Sequence, residues 1–141
     1  MSSNSQIKVV QVGLGPLGQK VAKCIYEKKG VRVVAAVDKS IDKVGKDLGK
    51  LCNMNKKFGI IVEKDISTKK EKPDVAIITT VSKMKDVASQ IEKLINYGIN
   101  VISSCEELTF PWRTFPELSK KIAQCAKSNN VIVLGTGVNP G

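Results

Sequence analysis

The sequence contains no histidine, and that absence removes a large part of enzyme chemistry. Without an imidazole there is no Ser-His-Asp or Cys-His arrangement and no histidine general base, and the commonest zinc ligand is missing as well. Cys24, Cys52, Cys105 and Cys125 are widely separated with no C-x-x-C pair, so no metal site is expected. Arginine is nearly absent too: of 23 basic residues only Arg32 and Arg113 are arginines. Aromatic residues make up 4 % of the chain. Few bidentate readers and few stacking platforms argue against nucleic acid as a partner. No apolar run approaches the roughly 18 residues of a membrane span. The amino-terminal MSSNSQ is polar and has no apolar signal core, so a cytoplasmic location is expected.

What is present is ordinary globular composition, with 42 % apolar and 26 % charged residues over 141 positions. That length suits one domain with a true hydrophobic core. The formal charge of +10 comes from lysines spread over nearly every helix and loop. They read as solvated faces, with long-range attraction for an anionic cofactor as a by-product. Cys24 shares a helical stripe with Leu17 and Val21, and Cys125 shares one with Leu118 and Ile122. Both are therefore expected to be core thiols.

Apolar runs and helical stripes alternate along the chain. Residues 7–12 form a first strand and 16–29 a helix with Leu17, Val21, Ala22 and Ile25 as its apolar positions. Residues 31–37 (VRVVAAV) are a second strand, almost continuously apolar as in a parallel sheet covered on both faces. A short helix over 41–48 and a weak third strand over 59–62 follow, then a lysine-rich loop over 65–73. Residues 74–79 are a fourth strand. Ser82 caps a helix over 83–97 that Gly98 closes. Residues 100–103 are a fifth strand, and Thr114 with Glu117 makes a capping box for the next helix. Residues 131–134 are a sixth strand. The pattern predicts an α/β fold: a doubly wound, mostly parallel sheet of about six strands with helices on both faces.

Between the first strand and the first helix stands VGLGPLG, with Gly13, Gly15 and Gly18 at the G-x-G-x-x-G spacing. The spacing alone is common. Here it follows a predicted strand and opens a predicted helix, and Asp38 ends the second strand 20 residues after Gly18. In that setting Gly13 permits the turn, Gly15 lets a pyrophosphate approach the backbone, and Gly18 lets the helix lie close to the sheet. Leu14, Pro16 and Leu17 complete the loop and first helical turn, whose N–H groups favour phosphate. Asp38 accepts from a ribose 2′-hydroxyl and so favours NAD, while Lys39 offsets its repulsion of a 2′-phosphate and leaves NADP open. The later strand ends supply Thr79, Thr80, Ser104 and Asn139 for the nicotinamide half. No catalytic residue is assigned.

VVQVGLGPLGQKVAKCI, VDKS, SSCEELTFPWRTFPEL and VLGTGVNPG together resemble the cofactor domain of the 2,4-diaminopentanoate dehydrogenase family, within the dihydrodipicolinate-reductase-like group. The resemblance implies NAD(P)-dependent oxidative deamination of 2,4-diaminopentanoate to 2-amino-4-oxopentanoate with release of ammonia. It also implies that Gly13, Gly15, Gly18 and Asp38 hold the cofactor while Thr79, Thr80, Ser104 and Asn139 line its nicotinamide half. Dihydrodipicolinate reductases carry a Gly-Thr-Thr-Gly-like turn where this chain has Ser103-Ser104-Cys105-Glu106. Sugar oxidoreductases of the glucose–fructose type carry Glu-Lys-Pro where it has Glu106-Glu107-Leu108. The chain stops at Asn139-Pro140-Gly141, where this family enters a substrate domain, so residues 1–141 are expected to be the dinucleotide-binding part of a longer enzyme, inactive alone. The small amino-acid-like substrate and any homo-oligomer then belong to that longer protein. The other readings are a dihydrodipicolinate-reductase-like or other amino-acid-pathway reductase domain, and a stand-alone NAD(H)-sensing module.

Overall fold

The computed structural model describes residues 6–67, 71–80, 84–104 and 115–136. They form two compact units, Met1–Val75 and Ala76–Gly141. In the first, β1 (Ile7–Val12) runs parallel to β2 (Val31–Val37), and α1 (Pro16–Tyr26) connects them and packs on both. Apolar burial drives this arrangement. Val9, Val10, Ala22, Val33 and Ala36 are buried, as the near-continuous apolar run of β2 requires. The register holds at Ile7↔Val31 through Val9↔Val33 and then shifts by one residue, so that Val10 faces Ala35 and Val12 faces Val37.

The second unit carries all but the first residue of β3 (Val75–Ile78), then α3 (Met84–Asn96), β4 (Asn100–Ser103), α4 (Pro116–Ser128) and β5 (Val133–Gly135), in strand order β3-β4-β5. β4 and β5 pair in parallel from Val101↔Val133 to Ser103↔Gly135. α3 buries Val87, Ala88, Ile91, Leu94 and Ile95, one face of the helix at i, i+3, i+4 spacing, against β4 and α4. Gly98 takes φ +77 and closes α3, with the Ile99 N–H donating to the Leu94 carbonyl at 3.1 Å.

Five strands are found among the described residues where about six are expected. The expected strand over 59–62 makes an isolated bridge, Asp47↔Ile61 antiparallel, and Glu63 just beyond it bridges Val37 in parallel. Its backbone is bound instead to the preceding loop, through Gly45 N–H to Val62 and Leu48 N–H to Ile60, each at 2.8 Å. The expected helix over 41–48 is also displaced. Gly45 has φ +89, which ends the turn begun at Ser40, and α2 occupies Leu48–Leu51. Asp47 is the cap of α2. Its carboxylate accepts from the N–H groups of Gly49 and Phe58 at 2.8 Å and of Gly59 at 2.9 Å. Gly49 is required there, because a Cβ would collide with the Lys56 carbonyl and the Phe58 ring. Phe58 in turn stacks on Tyr26, with ring centroids 4.1 Å apart, which pins this excursion to α1.

α1 ends at Tyr26, earlier than residue 29, because Glu27 caps it and Lys28 turns back on Ile25. Its buried positions are Gly18, Ala22 and Ile25, so the stripe of Leu17 and Cys24 faces outward. Cys24 is exposed and not a core thiol, and Cys125 is half-buried. Among the described cysteines Cys52 is the buried one; burial pushes its pKa up, with the Lys23 charge acting the other way. α4 is capped at Phe115, without a side-chain bond, so its start lies one residue beyond the expected Thr114. Thr114 itself and Ser82 lie outside the described residues.

Partial burial alone raises the Asp47 pKa, but the N–H donors of Phe58, Gly59 and Gly49 pull further the other way, and the carboxyl rests below its ordinary value. A depressed folded pKa stabilises above the unfolded value of about 3.9, and the contribution disappears as pH falls through the folded pKa. Asp47→Ala should therefore cost about 1–2 kcal/mol near neutral pH in urea unfolding. The gap between wild type and variant should shrink below about pH 4, because the protonated wild type loses the same bonds.

Candidate functional site

The first unit builds a cradle where β1 meets α1. At the end of β1, Gly13 adopts φ +99, a conformation that disfavours any side chain, and turns the chain sharply. The Gly13 N–H donates to the Val37 carbonyl at 2.8 Å, joining the loop to the end of β2. Leu14 is fully buried and plugs the loop into the core. The Leu14 N–H donates to Asp38 Oδ2 at 2.7 Å, and the Ser40 N–H donates to Asp38 Oδ1 at 2.8 Å. Lys43 Nζ stands 3.9 Å from Asp38 Oδ2.

Two glutamines brace the same loop. Gln11 is fully buried in β1 and its Nε2 donates to the Gly13 carbonyl at 3.0 Å. Gln19 Nε2 donates to the Leu14 carbonyl at 2.9 Å. Neither residue, nor Lys43, was marked by the glycine spacing. A polar residue inside the apolar run VVQV was the available signal for Gln11.

Gly15 is the N-cap of α1, at φ −71 and ψ −170. That backbone is open to every residue, and among the described residues, its chain neighbours aside, a Cβ there would meet no atom within 4 Å. Neither the conformation nor the packing of the described residues calls for glycine at this position. Pro16 fills the first helical position, where its missing N–H costs no bond. The helical ladder starts with Gln19 N–H to the Gly15 carbonyl at 2.9 Å, which places the Leu17 and Gly18 N–H groups at the positive mouth of the helix. Gly18 is buried, as close helix–sheet packing demands. Leu17 is half exposed beside the mouth. Gly13, Leu14, Gly15, Pro16, Leu17, Gly18 and Asp38 thus form one assembly, and Lys39 is exposed next to Asp38.

In the second unit the carboxyl ends of the strands are tied to one another. The Ser104 N–H and hydroxyl both donate to the Ile78 carbonyl of β3, at 3.0 and 3.3 Å. The Thr136 N–H and hydroxyl donate to the Ser103 carbonyl of β4, at 2.8 and 3.2 Å. Thr79 follows β3 directly, and the Thr80 hydroxyl donates to Gln90 Oε1 of α3 at 3.0 Å. Asn139, Glu106 and Glu107 lie outside the described residues. No group of three or more His, Cys, Asp or Glu side chains suited to a metal ion occurs among the described residues. Among them, too, no helix is long and apolar enough to cross a membrane.

Residues 7–105 match the family "dihydrodipicolinate reductase, N-terminus". The chain is 36 % identical over 144 aligned positions to 2,4-diaminopentanoate dehydrogenase of Acetoanaerobium sticklandii, covering 96 % of this chain and 39 % of that protein. An amine dehydrogenase structure from Mycobacterium smegmatis superposes with a TM-score of 0.89 at 34 % identity, covering 94 % of this chain and 39 % of that one. An oxidoreductase from Agrobacterium radiobacter, solved with NAD+, L-tartaric acid and magnesium, gives a TM-score of 0.69 at 12 % identity over 94 % of this chain and 35 % of that one, a likeness of fold. The fold is therefore the doubly wound Rossmann type. The chain spans about two fifths of the length of these relatives.

Two glycine substitutions separate the roles within the loop. Gly15→Ala should leave stability within about 1 kcal/mol of wild type, since the conformation is allowed and the space is open. Gly13→Ala should destabilise by more than about 1 kcal/mol, because φ +99 is strained for alanine. Thermal unfolding of both variants checks the contrast.

Proposed function

This chain belongs to the dihydrodipicolinate reductase N-terminal family, and we propose on that premise that it is the dinucleotide-binding part of an NAD(P)-dependent oxidoreductase acting on a carbon–nitrogen bond. The observation that carries the reading is Gly15, a glycine that the packing of the described residues does not need, at the mouth of α1. The donor set suits the group: helix-mouth N–H groups for a pyrophosphate, and an acid at the end of β2 for a ribose hydroxyl. Gly13, Leu14, Gly15, Pro16, Leu17 and Gly18 hold the pyrophosphate, and Asp38 with Lys39 meets the adenosine ribose. Thr79, Thr80, Ser104 and Asn139 line the nicotinamide half. NAD is favoured over NADP by the Asp38 carboxylate. When bound, the nicotinamide supplies the hydride acceptor.

The substrate in this reading is 2,4-diaminopentanoate, deaminated oxidatively. It is supported by the 36 % identity to the Acetoanaerobium sticklandii enzyme and by the fit to an amine dehydrogenase. Hydride transfer needs a substrate held against the nicotinamide and shielded from water. The matched relatives are more than twice as long, and we assign that task to the rest of such a protein. The 141-residue chain then binds cofactor without turnover, and the longer enzyme is cytoplasmic and free to be a homo-oligomer.

Fluorescence titration tests the reading. The chain should bind NADH, and Gly15→Ala should weaken binding about tenfold or more while the fold survives. Absence of binding to both NADH and NADPH would sink the proposal. So would dehydrogenation of 2,4-diaminopentanoate by these 141 residues alone, as regards the division of labour.

A further inference from the structure

Asp38 is fixed more firmly than a ribose ligand alone would need to be. Oδ1 is held by the Ser40 N–H and Oδ2 by the Leu14 N–H, at 2.8 and 2.7 Å. Its side chain retains 13 % exposure, and rotating it away would break both bonds. A site with such a carboxylate repels a phosphate on the adenosine ribose unless a cation stands beside it.

Lys43 stands there. Its placement follows from the same carboxylate. The Asp38–Ser40 bond starts a turn, in which the Lys43 and Val44 N–H groups donate to the Ser40 carbonyl at 3.0 and 3.1 Å. The turn returns the Lys43 side chain to Asp38. The ammonium lies 3.9 Å from Oδ2, well beyond the ~2.7–2.9 Å of a committed charge-assisted bond. Lys43 is also the more exposed partner, at 27 %. Its three N–H donors on a flexible stem can turn outward without disturbing the Leu14 and Ser40 bonds that hold the acid.

We propose that Lys43 is the residue that lets this site take a dinucleotide with a 2′-phosphate as well as one with a 2′-hydroxyl. The inference rests on the dinucleotide reading above. Asp38 serves the hydroxyl form, and Lys43 leaves Asp38 to meet the phosphate of the other form. Lys39, exposed beside the acid, adds charge there without a fixed position.

The test is titration of the full chain with NADH and NADPH, for wild type, Lys43→Met, Lys43→Arg and Lys29→Met. Wild type should bind both within about tenfold of each other. Lys43→Met should weaken NADPH about tenfold and change NADH by less than about threefold. Lys43→Arg should keep NADPH binding, and the exposed Lys29→Met should change neither. The NADPH loss should shrink as salt rises. Equal loss of both nucleotides in Lys43→Met, or loss of neither, would overturn the inference, as would wild type rejecting NADPH while binding NADH. Failure of wild type to bind either nucleotide removes the underlying reading first, and thermal midpoints of the variants separate binding loss from unfolding.

Discussion

The contact on which the first unit depends is the hydrogen bond from the Leu14 N–H to Asp38 Oδ2 at 2.7 Å, beside that from the Gly13 N–H to the Val37 carbonyl. Both join the loop after β1 to the residues that end β2, and both satisfy backbone donors that the glycine turn would otherwise bury unpaired. They are possible because of the register. The one-residue shift after Val9↔Val33 brings Val12 opposite Val37, and so sets Asp38 level with Gly13, from where its carboxylate reaches the next N–H, that of Leu14. Without that irregularity Val12 would face Ala36, and the acid would stand one residue further along. A β-bulge thus aims the side chain at the site, a common use of such features near functional centres.

Most of this architecture was legible in the sequence where burial is one-sided or complete. The apolar run of β2, the stripe of α3 and the closing Gly98 each express one physical rule with no competitor. The segment between residues 40 and 63 was not legible, because its order comes from a side chain and not from periodicity. Asp47 gathers three backbone N–H groups, one from α2 and two from the loop beyond it, and Gly45 breaks the helix that the local pattern suggests. A single carboxylate thereby replaces a strand's ladder. Leu17 and Cys24 show a second limit. Two neighbouring stripes on α1 have apolar members, and the stripe with Gly18 and Ala22 wins because small residues let the helix lie close to the strands.

The candidate site divides in the same way. The three glycines and Asp38 were readable because each answers to a geometric demand at fixed spacing. Gln11, Gln19 and Lys43 were not, since each acts through a contact that depends on how the loop folds back. The structure also divides the glycines by cause. Gly13 is required by its own φ, Gly18 by its burial in α1, and Gly15 by neither. A sequence pattern weighs the three alike, but the structure gives them separate causes.

Asp38 carries two duties that are usually discussed apart. It shapes the loop through Leu14, and it meets the ribose in the proposed complex. A change at this position therefore alters the cradle as well as the recognition, so the acid is a poor place to adjust cofactor preference. Adjustment is less costly at neighbours that touch the acid but leave the loop alone. A lysine held at 3.9 Å, on a turn that the acid itself starts, meets that condition. The lysine-rich composition takes on local meaning here. Dispersed cations attract any anionic dinucleotide from a distance, whereas one cation against a fixed carboxylate discriminates between two of them.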